Sequence, residues 1–267
     1  MVTPTNQELR TVTDQVKRTV SFVPAPKRVV SLVPSQTEYL FDLGLNQEVV
    51  GITKFCVHPK EKFKVTEKIG GTKRFQFDKI ERLQPDLILG NKEENYQQGV
   101  DRLAARFPVW LSDIITLPDA LDMMRAIGDL VNKTERAREI VGRVQRSFTQ
   151  PIKAPRKRAL YFIWRSPYMV AGRDTFIHHM MDMAGFENVM PEGTRYPELT
   201  LEDVLALEPE VILLSSEPFP FKPRHAEEIQ AILPQAQWEI VDGEMFSWYG
   251  SRLLHSRAYF EELRQKV

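Results

Sequence analysis

Residues 75–90 read FQFDKIERLQPDLILG, and residues 199–214 read LTLEDVLALEPEVILL. In each, a short amphipathic stretch with an acid near its start (Asp78, Glu202) runs to a proline (Pro85, Pro209), then to an acid and an apolar tetrad. The pattern predicts a short helix, a stop and a buried strand, written twice about 124 positions apart. Two copies at that distance are too few for a solenoid and point to two similar lobes. The likeness extends upstream. Lys27-Arg28 precedes VVSLV, Pro34, a helix and Gly44-Leu45; Lys157-Arg158 precedes ALYFI, Pro167, a helix and Gly185-Phe186.

The runs VVSLV and DLILG lack polar alternation, as parallel strands covered on both faces do. Strands are expected at 28–33, around 48–52, at 86–89 and 108–111, and again at 158–163, 211–214 and 238–241. Helices are expected at 36–43, 78–84 and 95–106, and in the second half at 174–184, 201–207, 225–232 and 251–265. The clearest helix lies between the halves. Thr116 and Pro118 open it, Asp119 and Asp122 suit its positive end, and Pro151 and Pro155 close it. Apolar residues recur at Met124, Ile127, Val131, Ala137, Val141, Val144 and Phe148. A helix of ~30 residues would be ~45 Å long. The expected fold is therefore α/β, with two three-layer lobes, mainly parallel sheets, one long rigid linker helix and a ligand cleft between the lobes. Its expected divisions are an N-terminal extension or edge strand at 1–26, a first lobe at 27–113, the linker at 114–152 and a second lobe at 153–267.

Thirty-six basic and 36 acidic residues cancel, so no global field points to nucleic acid or an anionic membrane. No apolar run approaches the ~20 residues needed to span a bilayer. The stretch MVTPTNQELRTVTDQVKR has no apolar signal core, which leaves a cytosolic location open beside a mature exported form. One cysteine, Cys56, excludes an internal disulfide.

Ligands of open parallel sheets sit beyond the carboxyl ends of the strands. That rule selects Pro34, Ser35, Gln36 and Thr37; Phe55, Cys56 and His58; Trp164 and Arg165; the loop 215–217; and Glu244, Trp248, Tyr249 and Arg252. Cys56 and His58 pair a soft thiolate with an imidazole and could ligate a metal, although two ligands do not close a structural site. Trp with Arg at two of these loops suits a large, flat or anionic ligand. No GxGxxG, P-loop, GxSxG or HExxH motif appears, and no carboxylate pair has acid/base spacing. The reading is non-catalytic.

Taken together, KRVVSLVPSQTEYLFDLGL, IERLQPDLILG, the inter-lobe helix and LEDVLALEPEVILL resemble the helical-backbone class of substrate-binding proteins of ABC importers, over residues from about 27 to 262. The vitamin B12-binding branch of that class is the most similar, through Pro34, Thr37 and Glu38 and through Tyr196-Pro197 with Thr200 to Pro209. The sequence departs from that branch near Thr72, where the branch has a tryptophan. The resemblance implies an extracytoplasmic receptor with no intrinsic cofactor. Its cargo would be a metal complex (cobalamin or another corrinoid, haem, or a ferric siderophore) delivered to an importer permease. It also implies ligand contact at Tyr196 and near Glu244, and docking of the permease on Asp78 and Glu202. A cytosolic metal- or cofactor-handling protein, or a metallocofactor enzyme on the same scaffold, is the alternative.

Overall fold

The apolar runs become the central strands of two sheets, and the reason lies in how each run is entered. The computed structural model describes residues 8–190 and 195–267; residues 1–7 of the expected extension lie outside the described residues. The described chain divides into two units. One holds everything up to Ile114 together with Asp119–Gly142 and Tyr249–Ser251; the other holds Ile115–Pro118, Arg143–Trp248 and Arg252–Val267.

The first unit opens with a hairpin, β1 (Arg10–Thr13) and β2 (Thr19–Phe22). There follow β3 (Val29–Ser31), α1 (Pro34–Asp42), β4 (Val49–Ile52), α2 (Lys60–Val65) and β5 (Glu67–Lys68). A two-residue hairpin comes next, β6 (Gly70–Gly71) with β7 (Arg74–Phe75), then α3 (Phe77–Leu83), β8 (Leu87–Asn91), α4 (Gln97–Ala104) and β9 (Val109–Ser112). Five strands form a wholly parallel sheet in the order β5-β4-β3-β8-β9. The leading hairpin is part of this unit rather than a separate extension. Asp14 is buried and ties the hairpin turn through the N–H groups of Val16 and Arg18 (3.1 and 2.7 Å), and Gln15 donates its backbone N–H to Leu111 on β9 (3.1 Å).

The single helix expected over 114–152 is two helices, α5 (Leu117–Leu130) and α6 (Thr134–Ser147). The break is a left-handed cap. Asn132 has φ 57°, its N–H bonds to Asp129, and Lys133 N–H reaches back to the Gly128 carbonyl at 2.7 Å. This is the paired hydrogen-bond pattern by which an asparagine or glycine ends a helix. Thr134 Oγ1 donates to Asp129 Oδ1 at 2.6 Å and seals the step. Gly128 is required here, since a Cβ would lie 2.2 Å from that of Ala137. The division between the units falls inside α6, between Gly142 and Arg143, so the expected linker is largely a component of the first unit.

The second unit contains β10 (Lys157–Trp164), β11 (Tyr168–Val170), α7 (Phe176–Met183), β12 (Phe186–Asn188), β13 (Glu198–Leu199), α8 (Leu201–Ala206), β14 (Val211–Ser215), α9 (Pro223–Gln230), β15 (Gln237–Val241), α10 (Glu244–Ser247) and α11 (Leu253–Lys266). Strands β10, β14 and β15 run parallel; β11 and β13 extend the sheet antiparallel, and β12 pairs in parallel with the start of β10. Alternation along the strands assigns the two faces. Leu160, Phe162, Ile212 and Leu214 pack with Val204 of α8 and Ala226 and Ile229 of α9. On the other face the Tyr161 ring meets Phe246 at 5.1 Å, and Phe246 meets Phe260 of α11 at 4.6 Å. Helices cover both faces, which is why β10 and β14 are apolar without alternation.

The duplicated stretch does the same work in each unit. Gln84 (φ 44°) and Glu208 (φ 46°) turn left-handed and end α3 and α8, and the following prolines prevent continuation. The next acid then grips the backbone ahead of the neighbouring strand. Asp86 accepts from the N–H groups of Lys27 (2.7 Å) and Arg28 (2.9 Å), and Glu210 accepts from Arg158 N–H at 2.8 Å. Arg28 and Arg158 return side-chain bonds to the carbonyls of Leu83 and Leu207. So β8 is set beside β3, and β14 beside β10, by one local device.

Candidate ligand-binding site

At the carboxyl ends of the first sheet the polar residues lie beneath the loops. The structure starts α1 at Pro34, so Ser35, Gln36 and Thr37 occupy its first turn and are buried. Gln36 Nε2 donates to Ser112 Oγ at 2.6 Å, Asn91 Nδ2 donates to the same oxygen at 3.0 Å, and Asn95 Oδ1 accepts from Asn91 N–H at 2.9 Å. Asn91 Oδ1 in turn accepts from the N–H groups of Glu93 and Glu94. This network fastens the ends of β8 and β9 to α1. Asn95 and Ser112 were not singled out from sequence; Ser112 ends β9, and Asn95 stands between β8 and α4.

The loop after β4 splits its residues. Phe55 is 49% exposed and Val57 is also exposed, whereas Cys56 is fully buried. The Phe55 ring leans on Gly71, where a Cβ would come within 3.3 Å, and Lys54 Nζ lies 4.9 Å from its centroid. Cys56 Sγ is held by Thr37 Oγ1 and Thr53 Oγ1, both at 3.1 Å. Burial pushes the thiol up to about 11, against which the two hydroxyls pull only in part. A protonated, sealed thiol is a core group rather than a metal-binding thiolate. His58 is partly exposed two residues before α2, and among the described residues no three His, Cys, Asp or Glu side chains converge as a metal-binding set. The structure thus places Cys56 in the core and His58 partly at the surface of the same loop.

Tyr249 also belongs to the first unit and is buried. Its hydroxyl donates to Glu94 Oε1 at 2.7 Å, and burial followed by the Glu94 charge raises its pKa. Gly250 (φ 110°) lets this segment lie against α1, since a Cβ would sit 3.2 Å from the Ser35 carbonyl.

In the second unit Trp164 ends β10 and is 40% exposed, stacked edge-on against Phe219 at 5.7 Å. Arg165 is turned onto α9, where Glu228 takes two hydrogen bonds at 3.0 and 2.7 Å. Tyr196 is partly exposed just ahead of β13. Trp248 is only 6% exposed; its Nε1–H donates to Glu217 Oε1 at 2.8 Å and its ring lies 5.4 Å from the Arg252 guanidinium. Arg252 stands 3.4 Å from Glu244. Of the aromatic candidates, then, Phe55 and Trp164 are open surfaces, Tyr196 is partly open, and Trp248 and Tyr249 are packed. Glu217, in the loop 215–217 selected by its place after a strand, is the polar centre of this loop set.

Residues 29–240 match the family model described as periplasmic binding protein. The chain belongs to that family. Among curated relatives it is 27% identical over 220 residues to an uncharacterized ABC transporter substrate-binding lipoprotein, YvrC, of Bacillus subtilis, covering 76% of this chain and 68% of that protein. It is 24% identical over 202 residues to the vitamin B12-binding protein of Pectobacterium carotovorum, covering 72% of each. Among solved structures, a periplasmic heme-binding protein from Pseudomonas aeruginosa superposes with a TM-score of 0.76 at 20% identity, over 89% of this chain and 92% of that one. That likeness establishes the periplasmic-binding fold for both units. The exposed Phe55 and Trp164 stand at the carboxyl ends of their sheets, the side on which open parallel sheets hold ligands.

Proposed function

We propose that the protein is the extracytoplasmic substrate-binding component of an ABC importer and that it carries a metal-containing complex: cobalamin or another corrinoid, haem, or a ferric siderophore. The observation that carries this reading is the exposure of Phe55 and Trp164 at the carboxyl ends of their sheets, the other strand aromatics among the described residues being buried or only partly exposed. Exposed rings on rigid strand ends suit a broad apolar ligand face. Membership of the family supports binding rather than turnover.

Asp78 and Glu202 are the proposed docking points for the permease. Each is the second residue of its helix (α3, α8) and each is exposed. Acids there also suit the helix dipole, but two exposed acids at matched positions of a duplicated element offer register to a two-fold partner.

Titration of the purified protein with cyanocobalamin, hemin and a ferric hydroxamate siderophore, followed by absorbance and calorimetry, tests the reading. Binding of at least one at about 1 µM or tighter is expected. No binding of any below about millimolar would remove it. With the cognate permease in proteoliposomes, Asp78→Ala/Glu202→Ala should keep ligand affinity and lose transport; unchanged transport would refute the docking role.

A further inference from the structure

Phe55, the exposed ring of the first unit, is seated in a notch of the β6–β7 hairpin. Gly71 makes the notch: a Cβ there would lie 3.3 Å from the Phe55 ring and 3.7 Å from Lys54 Cε. The hairpin face on which a side chain at 71 would stand is therefore the face that meets Phe55 and Lys54. Arg74 is paired directly opposite Gly71, and residues opposite one another in an antiparallel pair project from the same face. Arg74 thus stands on the Phe55 side of the hairpin. Lys54 reaches the ring from the neighbouring position in the chain, with Nζ 4.9 Å from the centroid. Both cations are exposed.

Neither cation is neutralised. Among the described residues Lys54 and Arg74 enter no ion pair, and carboxylates of neighbouring segments are committed elsewhere: Glu67 to Lys79, Glu81 to Arg106 and Asp113 to Lys92. Residues 54–74 carry seven basic and two acidic side chains, in a chain whose formal charge is zero. Such a local excess draws anions even where the whole molecule does not. A lysine stem lying along a ring also keeps its ammonium in water, open to an incoming partner. We propose that the loop after β4 and the β6–β7 hairpin take the carboxylate-bearing edge of a flat complex. Phe55 packs on its apolar plane, and Lys54 and Arg74 pair with the carboxylates on its rim. The inference rests on the reading in the previous section and names the rim chemistry of the cargo. A carboxylate rim gains charge-assisted bonds, bidentate at the guanidinium. A neutral rim gains only ordinary hydrogen bonds and takes water from two cations without replacing it by a counter-charge.

The test uses the intact protein at pH 7 with three probes: hemin, whose rim bears two propionates; hemin dimethyl ester, the same plane without those charges; and cyanocobalamin, whose rim bears amides. Hemin should bind at least about tenfold more tightly than either of the others. Its affinity should fall several-fold between about 0.05 and 0.5 M salt. Lys54→Gln/Arg74→Gln should weaken hemin about tenfold and leave the ester within about twofold of wild type. Both side chains are exposed, so the variant should unfold at the wild-type temperature, and a loss confined to hemin reports recognition of its charge. Lys54→Glu/Arg74→Glu should weaken hemin further. The inference is overturned if the ester or cyanocobalamin binds the wild type as tightly as hemin, or if the glutamine variant binds hemin unchanged. Binding of cyanocobalamin or a ferric hydroxamate siderophore without hemin leaves the importer reading standing and overturns this one; binding of nothing removes both.

Discussion

The two units share a scaffold device and differ in what stands above it. In both, a left-handed residue, a proline and an acid end a helix and seat the next strand beside its neighbour. Above the first sheet the polar groups turn inward, with Gln36, Asn91, Asn95 and Ser112 bonding one another and Cys56 sealed between two threonines. Above the second, Glu217 holds the loop through Ser247 and Trp248, and the exposed Trp164 ends β10. Duplication preserved what sets strand register and left the loops free to diverge, as expected where function resides in loops on a rigid frame.

The strongest challenge to that equivalence is a matched pair of core truncations. Ile88 and Ile212 occupy the same place in the duplicated stretch, pair with Val30 and Leu160, and are buried. Ile88→Ala and Ile212→Ala should each cost about 3–4 kcal/mol in denaturant unfolding. A difference between them larger than about 2 kcal/mol would show that the two central strands are not equivalent supports. The next pair sharpens the comparison. Asp86 takes two backbone N–H groups and Glu210 one, so Asp86→Ala should cost about 1–2 kcal/mol and Glu210→Ala about half that. Equal losses would mean that the acids act through something other than the bonds seen here.

Much of the scaffold was legible because periodicity and stop signals are local. The apolar runs gave β3, β8, β10 and β14, and the acid-to-proline stretches gave α3 and α8, within two or three residues at each end. The break between α5 and α6 was missed because the apolar stripe continues across it; Asn132 in a left-handed cap was the available signal. Short strands such as β5, β11 and β13 were missed because their pairing is tertiary. At the candidate site the loops were found by position, but exposure was not readable. Nothing in PSQT says that its side chains point inward, and nothing in FCVH says that Phe55 and Cys56 face opposite ways. The loop of Glu217 was selected, but its role was not readable because its partner Trp248 is 31 residues away.

Glu217 predicts a pH-dependent effect on stability. Burial, and then the negative charge of Glu244, raises its pKa in the folded protein, against the pull of Ser247 and Trp248. The folded state therefore holds that proton more tightly than the unfolded chain. The stability this confers is complete below the ordinary glutamate range and is lost as pH rises through the raised value. Glu217→Gln should therefore gain stability relative to the wild type as pH rises through that raised range. Thermal unfolding should show that gain shrinking toward zero as pH falls below the ordinary range. A variant that loses stability at pH 7 would place Glu217 with the structural acids of the first unit, such as Asp14.

The smallest effect is expected at Cys56. Its folded-state pKa is raised to about 11 by burial, so native protein at pH 8 should not react with a thiol-specific disulfide reagent, while protein in denaturant should release one equivalent at once. Cys56→Ser keeps a hydroxyl between Thr37 and Thr53 and should change stability by less than about 1 kcal/mol, with ligand affinity unaltered. The raised pKa fixes the pH dependence too: the wild type should lose stability relative to Cys56→Ser as pH climbs from the ordinary thiol range through about 11. Rapid labelling of the native thiol at pH 8, or ligand that protects it from labelling, would move Cys56 from the core network to the binding surface and make the two loop sets more alike than the coordinates imply.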